Sequence, residues 1–125
     1  MILGVGIDLV EVGRIRDSLD RLGDRFARRI LCQAEHDYCF GHADPATHVA
    51  ARFAAKEAVS KAFGTGIGTE IGWLDIEVVR LESGSTRVQL NGSGALLMER
   101  RGARILHLNL THTARYASAV AILEG

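Results

Sequence analysis

The chain has 125 residues, with 15 Lys and Arg balanced by 15 Asp and Glu, so its formal net charge is zero. That balance offers no bulk attraction for nucleic acid or an anionic membrane, and no apolar run reaches membrane-spanning length. One domain, residues 1–125, is the expected organisation.

The first residues carry no basic segment ahead of an apolar run, and Cys32 and Cys39 are the only cysteines. Two reduced thiols in a soluble cytoplasmic domain are expected.

From Ile2 to Leu9 the residues alternate, with Leu3, Val5, Ile7 and Leu9 on one side and Gly4, Gly6 and Asp8 on the other. This predicts a strand with one bulky apolar face and one nearly bare face. A ligand or another backbone can come close to the bare face beside the Asp8 carboxylate. Capping the next helix is the plainer role for such an acid. Val12, Ile15, Leu19, Leu22, Phe26 and Ile30 then recur at helical spacing, broken near Gly23. Their opposite side carries Arg14, Arg16, Arg21, Arg25, Arg28 and Arg29 among Asp17, Asp20 and Asp24. Charge-rich faces are usually solvated surface. Arginine nevertheless suits bidentate carboxylate or phosphate contacts better than lysine does, which admits an acidic protein partner.

Gln33 to Phe40 reads as a short helix and residues 41–44 as a loop. The central stretch follows, DPATHVAARFAAKEAVSKAFGTGIG, from Asp44 to Gly68. Asp44 is expected to cap the first turn, Pro45 suits the first helical position, and Gly64 supplies the stop. Ala51, Ala55, Ala58 and Ala62 leave one face with nothing larger than a methyl group, while Val49, Phe53, Val59 and Phe63 form a bulkier arc. Glu57 and Lys61 share the remaining narrow face at i, i+4 spacing. An exposed pair of that kind is worth only about 0.3–0.5 kcal/mol. A second carboxylate nearby would make it a candidate for chemistry. The glycine-rich run from Gly64 to Gly68 presents N–H groups of the sort that cradle phosphate, although it has no Walker pattern and also suits a plain connector.

Trp73 to Glu82 alternates with Leu74, Ile76 and Val78 inward, and Ser83 to Ser85 turn the chain into a second strand, Arg87 to Leu90. Ser93 to Arg101 reads as a helix closed by Gly102. Arg104 to Thr111 and Tyr116 to Leu123 read as strands joined through His112 and Thr113. The fold class is α+β, with a largely antiparallel sheet packed against the long central helix.

Three stretches, GVGIDLVEVGRI, ARFAAKEAVSKAFGTGIG and LNLTHTARYASAVAILE, together resemble the holo-[acyl-carrier-protein] synthases, the small 4′-phosphopantetheinyl transferases. WLDIEV, from Trp73 to Val78, looks like the family's middle strand. The chain departs from the family where Gly84, Ser85 and Thr86 replace a common Gly-x-Pro, and where Asn109 to His112 replace a frequent S-x-S-H.

The resemblance implies Mg²⁺ held by Asp8 and Glu57, with Glu57 and Lys61 as catalytic residues. It implies CoA contacts from Lys61, Gly64, Arg52, Thr111 and His112, with His112 near the 3′-phosphate. An exposed, idle His112 in a hairpin turn stays open beside that role. Arg14, Arg21 and Arg25 are implied to dock apo acyl carrier protein. A homotrimer with active sites between subunits, working in fatty acid biosynthesis, follows from the same likeness.

Two carboxylates from separate elements can hold a hard cation that leaves positions for water and phosphate oxygens. The bare glycine face and the alanine face would let strand and helix pack closely enough for Asp8 and Glu57 to meet. A carrier serine would attack the phosphorus bearing pantetheine, and adenosine 3′,5′-bisphosphate would leave. Glu57 and a water at the ion both remain open as the base. A Mg²⁺-dependent nucleotide phosphohydrolase and a non-catalytic carrier-docking module are the alternatives.

Overall fold

A computed structural model describes residues 1–125. The chain runs β1 (Ile2–Glu11), α1 (Val12–Leu22), α2 (Asp24–Ile30), α3 (Gln33–Phe40), α4 (Pro45–Ala62), β2 (Ile76–Arg80), β3 (Thr86–Leu90), α5 (Gly92–Arg100), β4 (Ile105–His112) and β5 (Tyr116–Glu124). Both sheets are antiparallel: a three-stranded one ordered β1-β5-β4 and the two-stranded β2-β3 hairpin. The α+β class and the antiparallel pairing agree with the pattern of the sequence. No helix is long and apolar enough to cross a membrane.

α4 lies across one face of the larger sheet, and most of its circumference is buried. Toward its C-terminal end Ala54, Ala55, Ala58 and Val59 pack with Phe63, Ile71, Ile76, Leu97 and the inward residues of β5. Toward its N-terminal end Val49, Ala50 and Ala51 meet Val12 and Ile15 of α1, and Ile30 and Leu31 at the end of α2. Gly23, with φ at +61°, separates α1 from α2 where the helical pattern breaks.

β1 and α4 lie close together at two glycines. A methyl group built on Gly4 would overlap the carbonyl oxygen of Ala62, and one built on Gly6 would overlap that of Ala58. The bare face of β1 is therefore spent on the helix. Its bulky face is left uncovered, with Val5 58%, Ile7 65% and Leu9 66% exposed.

A buried ion pair fixes the other side of α4. Lys56 Nζ donates to Glu35 Oε1 (2.7 Å), Ile30 O (2.6 Å) and Trp73 O (3.0 Å), so all three of its protons are used. Glu35 also accepts from the N–H groups of Cys32 and Val78, both at 2.7 Å. Both side chains are fully buried. This network ties α3 and β2 to α4, and sequence reading assigned neither residue a role. A lysine on the apolar arc of a helix was the available signal, because burial obliges it to find an acid.

Two local expectations need correction. Asp44 does not cap α4 through its side chain, because its carboxylate accepts from Arg16 at 2.8 Å while Thr47 Oγ1 donates to its carbonyl. Trp73–Asp75 is a single 3₁₀ turn rather than strand, held by Asp75 Oδ2 accepting from Gly72 N–H at 2.8 Å. That turn leaves Leu74 50% exposed instead of inward.

The β1–α4 contact can be tested by overpacking. Gly6→Val should lower unfolding stability by about 1–3 kcal/mol or more. Gly13→Ala, where an added methyl meets nothing, should leave stability unchanged or slightly raised. Urea unfolding measures both, and equal effects would contradict the close approach.

Candidate active site

Because β1 lays its bare face on α4, the residue that follows Gly6 on that face, Asp8, arrives beside the helix. Lys61 Nζ reaches across and donates to Asp8 Oδ1 (3.0 Å) and to Ile7 O (3.1 Å). The Asp8 side chain is 16% exposed and that of Lys61 49%. Ser118 Oγ, on the neighbouring strand β5, donates to Asp8 O at 3.0 Å and steadies the strand from its other side. The i, i+4 ion pair expected between Glu57 and Lys61 is not made, because the lysine crosses to β1 instead.

Glu57 lies one turn before Lys61 and opens into the same groove as Asp8. Burial pushes its carboxyl above the usual range, the Asp8 charge pushes it further, and Lys61 opposes both. Two acids thus crowd one place with a single ammonium between strand and helix. The groove measures about 630 Å³ and runs on along α1, where Arg14, Asp17, Ser18 and Arg21 line it above Phe26 and Phe53. Arg25 lies outside it, exposed on α2.

The remaining sequence-predicted site residues fall elsewhere. Gly64 does end α4 with a positive φ of 79°, but the loop amides after it are occupied. The N–H of Gly64 donates to Lys61 O, those of Thr65 and Gly66 to Ser60 O, and that of Gly68 to Ile71 O. The expectation of an open amide cradle is corrected accordingly: the loop folds back on the helix end and satisfies carbonyls that α4 leaves unpaired.

Arg52 precedes Glu57 by five residues on α4 and projects to another side of it. It is only 3% exposed, its guanidinium sits 4.3 Å from the Tyr38 ring centroid, and its Nε has no hydrogen-bond partner. His112, at the end of the far edge strand β4, stands 5.4 Å from His48, ring to ring. Thr111 faces the opposite way from His112 and borders the uncovered sheet face with Ile7 and Val120.

The expected residues therefore divide into two groups. Asp8, Glu57, Arg14 and Arg21 share a groove at the β1 edge, with Lys61 bound to Asp8 beside it, whereas Arg52 and His112 gather at the β4 edge. His42 and His48, which sequence reading did not single out, belong to the second group.

Comparison with known proteins bears on this division. The sequence pattern of the 4′-phosphopantetheinyl transferase superfamily matches residues 4–121. A protein of Koribacter versatilis named holo-[acyl-carrier-protein] synthase is 48% identical over 124 residues, covering 99% of each chain. The crystal structure of the Neisseria meningitidis holo-[acyl-carrier-protein] synthase superposes with a TM-score of 0.93 at 30% identity over 100% of both chains. That of the Helicobacter pylori enzyme, solved in complex with coenzyme A, gives 0.86 at 31% identity, covering 96% of this chain and 99% of that one. With fold, length and pattern matched from end to end, this chain belongs to the 4′-phosphopantetheinyl transferase superfamily.

Proposed function

We propose that the protein transfers the 4′-phosphopantetheine group of CoA to a serine of apo acyl carrier protein in a Mg²⁺-dependent reaction. The products are holo carrier protein and adenosine 3′,5′-bisphosphate. The observation that carries this reading is the meeting of Asp8 and Glu57 at one groove. Relatives named holo-[acyl-carrier-protein] synthase, and a relative bound to coenzyme A, support the substrate pair.

The donor set suits a hard cation. Both candidate ligands are carboxylates, Glu57 is destabilised in its charged form, and an ammonium already sits on Asp8 as a stand-in charge. No group of three or more His, Cys, Asp or Glu side chains in the chain is placed to hold a metal ion by itself. Two protein oxygens leave most of the coordination shell to water and phosphate, which is the habit of Mg²⁺. When bound, the ion supplies charge neutralisation for the pyrophosphate oxygens.

The chain's own residues do the rest. Lys61, half exposed, holds a phosphate oxygen once it releases Asp8. The carrier serine oxygen forms a bond to the phosphorus bearing pantetheine, and the bond to the bridging oxygen breaks. The electron pair leaves with adenosine 3′,5′-bisphosphate, and the serine proton passes to the Glu57 carboxylate. Positioning and electrostatics carry most of the rate in phosphoryl transfers of this kind. Arg14 and Arg21 along the groove, with Arg25 beyond it, meet the acidic carrier protein. Arg52 and His112 bind the 3′-phosphate of CoA.

This last pair explains why a homotrimer with shared active sites is part of the proposal. A CoA held by both groups of one chain would have to wrap around α4 from one sheet edge to the other. A second copy bringing its β4 edge to the first copy's β1 edge removes that obstacle. The uncovered apolar face of β1 gives such copies a surface to bury. A cytoplasmic setting suits the two free thiols, each pushed up to about 11 chiefly by burial.

Two outcomes test the site. With CoA and Mg²⁺, apo carrier protein should gain the mass of one phosphopantetheine, and Asp8→Ala or Glu57→Ala should each abolish the gain while circular dichroism stays unchanged. Release of adenosine bisphosphate without carrier would favour a phosphohydrolase instead, and no Mg²⁺-dependent gain would leave only a docking module.

The second outcome concerns crowding. A carboxyl raised above its ordinary 4.5 loses folded-state stability as pH climbs through its titration. Glu57→Gln should therefore raise the melting temperature of the metal-free protein at pH 7, and the advantage should vanish below about pH 4.5, where both side chains are neutral. A variant less stable than wild type at pH 7 without divalent ions would contradict it.

A further inference from the structure

We infer that His42 and His48 extend the CoA site into a proton-linked receptor for a phosphate monoester dianion, built around the buried guanidinium of Arg52. The inference rests on the CoA reading above and names two residues that reading does not use.

The rings of His42 and His48 stack with centroids 3.8 Å apart and planes 27° apart, and His112 meets His48 edge-on. Tyr38 of α3 closes one side, with Arg52 at 4.3 Å and Arg80 of β2 at 5.8 Å from its ring. His42 Nδ1 lies 2.8 Å from Tyr38 O, so that nitrogen donates, and Nε2 is left as the position that gains a proton.

No acid answers this concentration of positive groups. Burial and the charges of His42, His112, Arg52 and Arg80 all lower the pKa of His48, and no carboxylate opposes them. Asp44, on the same loop as His42, is turned away to Arg16. Arg52 is almost fully buried with an unpartnered Nε, a costly state unless a ligand completes it.

A metal ion does not fit. Stacked imidazoles present their faces to each other rather than converging lone pairs, and the three histidines are not placed to hold one ion. A phosphate dianion does fit, because it takes several N–H donors and makes protonation of His48 favourable where burial and its neighbours made it costly. Binding should then draw protons from solution.

Calorimetry in two buffers of different ionisation enthalpy at pH 7 measures that uptake. Adenosine 3′,5′-bisphosphate should bind with net proton uptake. His42→Gln and His48→Gln should each reduce the uptake and weaken binding roughly tenfold, the scale of one charge-assisted hydrogen bond. Adenosine, which carries no phosphate, should bind more weakly and without the uptake. Inorganic phosphate displacing the bisphosphate, with the same proton signature, would support an anion receptor in its own right. Unchanged uptake and affinity in both variants would overturn the inference, and equal uptake with adenosine would overturn the assignment to a phosphate. His42 is exposed, so the His42→Gln result holds even if His48→Gln unfolds. Bisphosphate binding with proton uptake, but no mass gain on carrier protein, would remove the transferase reading and leave the receptor standing.

Discussion

Two glycines pressed against two helix carbonyls set the geometry of this protein. Gly4 and Gly6 admit the backbone of α4 at Ala62 and Ala58 so closely that neither position tolerates a Cβ. A strand side chain alternates direction with each residue, so the same face that meets the helix at Gly4 and Gly6 next presents Asp8. The carboxylate is thereby delivered to the level of Glu57 and Lys61 without any loop having to carry it. Small residues here serve the site by what they omit.

The helix that receives this strand is held against rotation from its far side. Lys56 and Glu35 are fully buried, and their charges are met by each other and by backbone groups of the elements around them. Such pairs add little net stability compared with apolar packing, but they penalise any arrangement that leaves one charge alone. Turning α4 to a different angle would break that network. It would also carry Glu57 away from Asp8, so the orientation of the candidate site and the integrity of the core are coupled.

Much of this was legible in the sequence, and the rest was hidden for physical reasons. Pro45 and Gly64 marked α4, and the glycine–alanine complementarity anticipated the meeting of Asp8 with Glu57. The partner of Lys61 was not legible, because intrahelical spacing suggested Glu57, whereas a flexible stem reached the nearer acid on β1. The loop amides after Gly64 looked free because nothing in a sequence shows a chain folding back onto a helix end. The histidine cluster was equally invisible, since His42, His48 and His112 come from a loop, a helix and an edge strand that only the folded chain assembles. Spacing along α4 did contain one unread clue. Arg52 and Glu57 point to different sides of the helix, which is the arrangement that the proposed sharing of CoA between copies uses.

The proposed transfer requires one divalent ion shared by Asp8 and Glu57, with CoA lying between copies. A crystal structure with CoA and Mn²⁺, phased to show anomalous scattering, examines both parts at once. One peak within about 2.0–2.2 Å of a carboxylate oxygen from each residue is expected, with the 3′-phosphate lying at the β4 edge of a second copy. An ion held by only one of the two acids, or a CoA bound wholly within a single chain, would contradict it.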